Sequence, residues 1–169
     1  MQSAFRRKDV IPVQQVRRAS QQDIPDILRL LVQVDMVHHR GRPDLFRGPA
    51  TKYSAAQLAE LLHDASRPVF VFDDGCGHVR GHAFCMIEQI LGDPVRTDVK
   101  TLYIDDICVD EQTRRQQIGT RLYEAVLAYA REIGCYNVTL NVWACNPAAQ
   151  AFYEHCGMRP QKTGMEVIL

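Results

Sequence analysis

The chain reads as an α/β protein of the α+β kind: a mixed, mostly antiparallel sheet with helices on both faces, in the order β-α-α-β-β-β-α-β-α-β. Three observations carry this reading. Segments of helical apolar period alternate along the sequence with short runs rich in β-branched and aromatic residues. Glycine and proline clusters punctuate them, with Gly41, Pro43, Gly48 and Pro49 in one loop and Gly92 and Pro94 in another. A length of 169 residues, 46% hydrophobic and 24% charged, suits one domain able to bury its own core. Residues 1–15 show no period and read as an N-terminal arm, leaving 16–169 as the single folded domain.

The elements follow in order. Residues 16–19 form a short first strand. Ser20 and Asp23 have capping-box spacing, and Ile24, Ile27, Leu28, Leu31 and Val34 then repeat as one face of a helix over 22–38. Leu58, Leu61 and Leu62 mark a second helix over 55–65, ended by Pro68. Strands at 69–72 and 79–91 flank an Asp73-Asp74-Gly75 turn and pair as a hairpin. A strand of mixed character covers 102–109. The clearest helix spans 118–133, with Ile118, Leu122, Val126, Tyr129 and Ile133 on one face and Gly134 as its stop. A strand over 137–143 leads to a helix over 147–156, capped by Asn146 with Pro147 in its first turn. Residues 164–169 read as a last strand.

Composition excludes several classes. Twenty basic residues balance twenty acidic ones, so the electrostatic footprint of a nucleic-acid or membrane-surface protein is missing. No stretch has the length and apolarity of a membrane span. Arg6, Arg7 and Lys8 are followed by no apolar run, which argues against a secretory signal. The cysteines Cys76, Cys85, Cys108, Cys135, Cys145 and Cys156 form neither a CxxC pair nor a zinc pattern. They read as reduced thiols of a cytoplasmic protein, and no metal is implied. Oligomeric state is not legible; a homodimer is compatible with all of these features.

The chemistry concentrates between the 102–109 strand and the following helix. The first turn of a helix offers unpaired N–H groups and the positive end of the dipole. A diphosphate placed there is held by main-chain donors of Arg114, Arg115, Gln116, Gln117, Ile118, Gly119 and Thr120, the two arginines adding charge. Gly119 permits close approach to the backbone. Taken alone, the same turn reads equally well as an exposed loop with solvated arginines.

This segment resembles the signature loop of the GNAT superfamily of N-acetyltransferases, Arg/Gln-x-x-Gly-x-Gly/Ala, with Arg114 first and Gly119 last. Gln117 departs from it, standing where the family has its first glycine. If that position needs a positive φ, glutamine is strained there. A second match is more specific: a strand, then Asn146, Tyr153 seven residues later and Gly157 four beyond. The resemblance implies a GNAT-like fold, acetyl-CoA as cosubstrate and an amine as acceptor. It implies that Ile107, Cys108 and Val109 hold the pantetheine through their main chain, together with Asn146 and Ala149. It also implies that Tyr153 meets the departing thiolate, a task suited to a phenol of pKa ~10. Otherwise Tyr153 is a half-buried aromatic and Asn146 a plain helix cap.

Asp105 and Asp106 sit inside an apolar strand, an expensive place unless something pairs with them. A carboxylate there suits an ammonium ion better than direct proton removal, since Asp has a reference pKa of ~3.9. A regular strand turns only one of the two toward a given cleft; a bulge, expected here from the family, alters that count. The Asp-Asp-Ile run is similar to the Glu-Asp-Ile stretch of the diamine and polyamine acetyltransferases. Asn141 stands where ribosomal-protein N-terminal acetyltransferases carry a glutamate. His82 and Glu88 lie on the preceding strand, and nothing in the sequence selects them. The run from His38 to Phe46 is similar to a region that helps wall the acceptor pocket in the family, and it reads at least as well as a capped helix end with His38 and His39 near the negative terminus.

The reading is therefore transfer of acetyl from acetyl-CoA to a primary amine, of small-molecule or polyamine type, by direct attack in a ternary complex. Protein lysine or N-terminal acetylation is the alternative acceptor class, and a non-catalytic CoA-binding regulatory module is the alternative of the same fold. A dinucleotide-binding protein fits poorly, since an early strand lacks a Gly-rich turn and no acid follows Gly119 at the required distance.

Overall fold

The computed structural model describes residues 13–169. Most of the expected N-terminal arm lies outside the described residues, and Gln15, assigned to it from sequence, opens the first strand. The elements are β1 (Gln15–Arg18), α1 (Ile24–Gly41), α2 (Ala55–Leu61), β2 (Val69–Asp73), β3 (Val79–Gln89), β4 (Lys100–Val109), α3 (Ile118–Glu132), β5 (Asn137–Leu140) and α4 (Pro147–His155). Single 3-10 turns at Gln21–Asp23 and Glu111–Thr113 lead into α1 and toward α3.

One sheet runs in the order β1-β2-β3-β4-β5. The first four strands pair antiparallel, and β5 joins β4 parallel after the α3 crossover. Helices cover both faces. In β2, Val69 and Val71 pack with Ile27, Leu30 and Leu31 of α1 and Leu58 of α2, while Phe70 and Phe72 pack on the α3 side with Leu122 and Val126. This two-sided burial explains why β2 is apolar at four successive positions. Gly81 of β3 lets α3 come close: a Cβ there would lie 2.8 Å from the Cys108 carbonyl and 3.0 Å from Leu122. The start of α3 is thereby seated directly on the sheet, with Ile118 in the core.

Two expectations fail. Residues 164–169 form no strand. Their apolar side chains are exposed, because β5 offers them no pairing in this chain. The fifth strand also stops at Leu140 rather than Trp143. Its pairing ends at Ile104↔Leu140, and Asn141 turns to donate its side-chain amide to the Tyr103 hydroxyl at 3.2 Å.

Candidate active site

The bulge anticipated beside the aspartates is present. Phe84 opposes Asp106 and Cys85 opposes Ile104, so Asp105 is the extra residue with no partner on β3. This changes the parity of β4. Leu102 and Ile104 face α3 before the bulge; Ile107 and Val109 face it afterwards. Asp106 and Cys108 turn toward α1, and the Cys108 thiol is buried against the Leu30 carbonyl at 3.4 Å. The Cys108 thiol is thus turned away from the α3 side.

The bulge coincides with the parting of β4 and β5. Among the described residues, no strand lies beside β4 on that side beyond Ile104, although β4 continues to Val109. Main-chain donors and acceptors of Ile107 and Val109 therefore line a split in the sheet, while those of Cys108 face His82 on β3; an extended amide-bearing arm can fill the split by strand-like hydrogen bonding.

The split runs into the loop ahead of α3. Asp110, almost fully buried, accepts from Arg29 of α1 at 2.7 Å and from the Gln112 amide at 3.2 Å. Burial alone would raise this carboxyl; Arg29 and the Gln112 amide more than offset it, so the pKa lies below the usual range. The loop that follows is pinned at its base by this contact. Arg115 (φ 65°) and Gln117 (φ 60°) are both left-handed, and Gln117 is the N-cap of α3. The positive φ that glycine normally supplies is thus adopted here by glutamine. The side chains of residues 114–117 are exposed, and Arg114 lies 3.7 Å from Glu111 in a solvated pair. A Cβ on Gly119 would point at the Phe152 ring, 3.4 Å away, into the space between α3, α4 and β4. Glycine leaves that space open beside the first turn of α3.

Helix α4 closes one flank. The Asn146 side-chain oxygen accepts from the Ala149 amide at 3.2 Å, the expected cap, and leaves its amide nitrogen available. Tyr153 packs on the α3 side with Phe152 and Tyr123, at ring separations of 5.1 and 6.4 Å. Burial first, and then the negative charge of Asp106, raise its phenol well above the ordinary value, so the proton stays on the oxygen at neutral pH. Tyr153 and Asp106 belong to opposite faces of the sheet and feel one another where the sheet is split.

The α1 side of the split is acidic. Lys52, from the loop before α2, pairs with Asp105. Asp35 of α1 has its carboxyl pushed up by burial and then by Asp106. His82 of β3 is fully buried, 3.8 Å from Asp106 through Nε2, with neither ring nitrogen hydrogen-bonded. The 42–46 loop folds back, with His39 Nδ1 on the Phe46 carbonyl at 2.7 Å and Phe46 edge-on to Trp143 at 5.1 Å. It therefore walls the end of the split beside Asn146.

Sequence reasoning missed Asp35, Lys52 and Asp110, and left His82 unselected. Asp35 carries a signal in retrospect: it lies four residues after Leu31, on the buried stripe of α1. Lys52 and Asp110 carry none, because their partners are 53 and 81 residues away. Among the described residues, no group of three or more His, Cys, Asp or Glu is placed to hold a metal ion, and no helix is long and apolar enough to cross a membrane.

A split sheet, a helix-start loop rich in main-chain donors and a flanking phenol define the architecture of acyl-CoA-utilising transferases. The profile of the acetyltransferase (GNAT) family matches residues 34–158, and the chain belongs to that family, whose enzymes use acetyl-CoA as cosubstrate. It is 30% identical over 86 residues to a protein named glucosamine 6-phosphate N-acetyltransferase from Arabidopsis thaliana, a match covering 51% of this chain and 54% of that one. The chain thus spans about half the length of that relative. A mutant of the BH1408 protein from Bacillus halodurans superposes with a TM-score of 0.87 at 32% identity, covering 91% of this chain and 98% of that one. The crystal structure of the Arabidopsis thaliana glucosamine-6-phosphate N-acetyltransferase shares the fold, with a TM-score of 0.67 at 21% identity, covering 92% and 98% of the two chains.

Proposed function

We propose that residues 16–169 act as one N-acetyltransferase unit that moves acetyl from acetyl-CoA to a primary amine on a small molecule, by direct attack in a ternary complex. The observation that carries this reading is the juxtaposition at the split. Tyr153 flanks it from one face of the sheet, the Asp106–Asp35 group from the other, and the unpaired edge of β4 leads from both to the loop before α3.

Acetyl-CoA supplies the acetyl group as a thioester. The main-chain N–H groups of Arg115 to Thr120 bind its diphosphate, and the β4 edge from Ile107 to Val109 with Asn146 and Ala149 orients the pantetheine. Asp106 attracts the acceptor ammonium. Asp105 already carries a cation, Lys52, and so contributes less. Asp35, its carboxyl raised by burial and then by Asp106, serves as the proton acceptor. Tyr153 holds a proton at Oη for the departing sulfur.

The acidic surroundings favour a cationic amine, whether of polyamine or amino-sugar type. The curated relatives named for glucosamine 6-phosphate put phosphorylated amino sugars first among the candidates. The deciding experiment offers acetyl-CoA with a panel of polyamines, amino sugars and their phosphates, aminoglycosides and lysine peptides. Mass spectrometry then reads the addition of one acetyl group. Acetylation of a small amine supports the reading, and acetylation of peptides alone replaces it. Thiol release with no acetylated amine, or no turnover with CoA still bound, contradicts it.

A further inference from the structure

We propose, resting on the acetyl-transfer reading above, that Lys52 is an internal acceptor: when no free amine occupies the site, the protein transfers acetyl from acetyl-CoA to its own Lys52 Nζ. The place of the thioester follows from the direction of the β4 edge. With the diphosphate at the start of α3, the pantetheine runs back along β4 from Val109 to Ile107. At about 3.3 Å per strand residue, the far end of the arm next meets Asp106 and Asp105. There the bulge lies and β5 leaves β4. Lys52 brings a primary amine to that point, its Nζ donating to the Asp105 carboxylate. The Tyr53 ring lies 5.6 Å from Nζ and itself stacks on Phe84 at 5.7 Å. Asp106 acts on the same ammonium at longer range, and Lys52 in turn acts on Asp35. The loop amine thus has the neighbours assigned to a substrate amine: a carboxylate that holds it, Asp35 for its proton and Tyr153 across the split.

The side chain of Lys52 is 41% exposed, so turning Nζ from Asp105 to the thioester breaks one ion pair and no core packing. The chain's other lysines are Lys8, Lys100 and Lys162. Lys100 gives its Nζ to the Ile133 carbonyl at 2.8 Å, at the opposite end of β4, and Lys162 is exposed beyond α4. Among the described residues, Lys52 is the one lysine in an ion pair with a carboxylate. In the transfer, Asp35 takes one proton from the ammonium and Nζ attacks the thioester carbonyl carbon. The C–N bond forms, the C–S bond breaks, and the thiolate leaves with the Tyr153 proton. The second nitrogen proton returns to the Tyr153 oxygen, so the balance is one amide, one free thiol and one proton released through Asp35. The amide carries no charge and frees Asp105. Burial lowers the pKa of the Lys52 ammonium, and the hydrogen bond and charge of Asp105 more than reverse this. The amine is therefore held protonated, and its transfer is slow beside that to a free acceptor.

The test incubates the full chain with acetyl-CoA and no amine, followed by intact mass spectrometry and peptide mapping. We expect one acetyl group per chain, on Lys52, at a rate per chain that does not change with protein concentration. The modification should be absent from Lys52→Arg and about tenfold or more slower in Tyr153→Phe. Acetylation of Lys8 or Lys162 to the same extent as Lys52, or an equal rate at Lys52 in Tyr153→Phe, would mean uncatalysed chemistry and overturns the proposal. A rate that rises with protein concentration overturns it too, by making the transfer one between copies. An unmodified Lys52 in a chain that acetylates an amine of the panel overturns the internal acceptor and leaves the acetyl-transfer reading standing. An unmodified Lys52 with no amine acetylated removes both.

Discussion

Lys52 meets the carboxylate of Asp105, the residue that the β4 bulge leaves unopposed on β3. Two adjacent aspartates are thereby made unequal: Asp105 is paired directly with Lys52, while Asp106 faces α1 beside Asp35 and a buried His82, with Lys52 acting on it only at longer range. Asp106→Asn should lower kcat/KM for the amine about 100-fold or more, in the range of a lost positioned acid–base or charged contact. Asp105→Asn removes a partly exposed pair and should cost about tenfold or less, ~1 kcal/mol. Steady-state kinetics on both variants checks the ranking; equal losses would mean that the bulge does not sort them.

Tyr153→Phe keeps the ring among Phe152 and Tyr123 and removes only the proton donor. Expected is a fall in kcat of about 100-fold or more with little change in CoA affinity. A parallel loss of CoA binding would make Tyr153 a packing residue.

Gln117 holds a backbone conformation that disfavours a side chain. Gln117→Gly should relieve roughly 1 kcal/mol of native-state strain, partly offset by the freer unfolded chain, and so leave stability equal or slightly raised. Gln117→Val should destabilise, since β-branching is poorly tolerated at positive φ. Chemical denaturation of the three proteins gives the order Gly ≥ Gln > Val if the left-handed cap is real.

Asp110 and Asp23 set the acid limit. Burial opposes the charge at both, yet hydrogen bonds from Arg29 and Arg17 respectively, helped by nearby amides, hold both carboxyls below their ordinary range. Their stabilisation is complete above the unfolded carboxylate pKa of ~3.9 and is lost as pH falls through the lower folded values. Stability should therefore drop with proton uptake below about pH 4. Asp110→Asn should cost roughly 1.5–3 kcal/mol at neutral pH and flatten the acid limb. Urea titrations across pH report both.

The fold was legible where periodicity is local. Ile118, Leu122 and Val126 announce α3, and the VFVF run announces a strand buried on both faces. The cofactor side was legible for the same reason, since Arg114–Gly119 and Asn146–Tyr153 are short-range spacings on adjoining elements. The acceptor side was not. Lys52 reaches Asp105, and Asp35 comes near Asp106, only through tertiary packing of α1 and its loop on the sheet. The 164–169 strand misled because its pattern is that of a strand, while the ladder it needs is not supplied by its own chain. Strand propensity is a statement about a pleated surface to pack on, not about the segment by itself.

The account turns on where coenzyme A binds, and hydrogen exchange in its presence tests this most directly. Protection on adding CoA should be confined to amides of Ile107, Val109 and Arg115 to Thr120 and to the start of α4 around Ala149. Unchanged exchange at those amides under saturating CoA, or protection centred elsewhere, would contradict it.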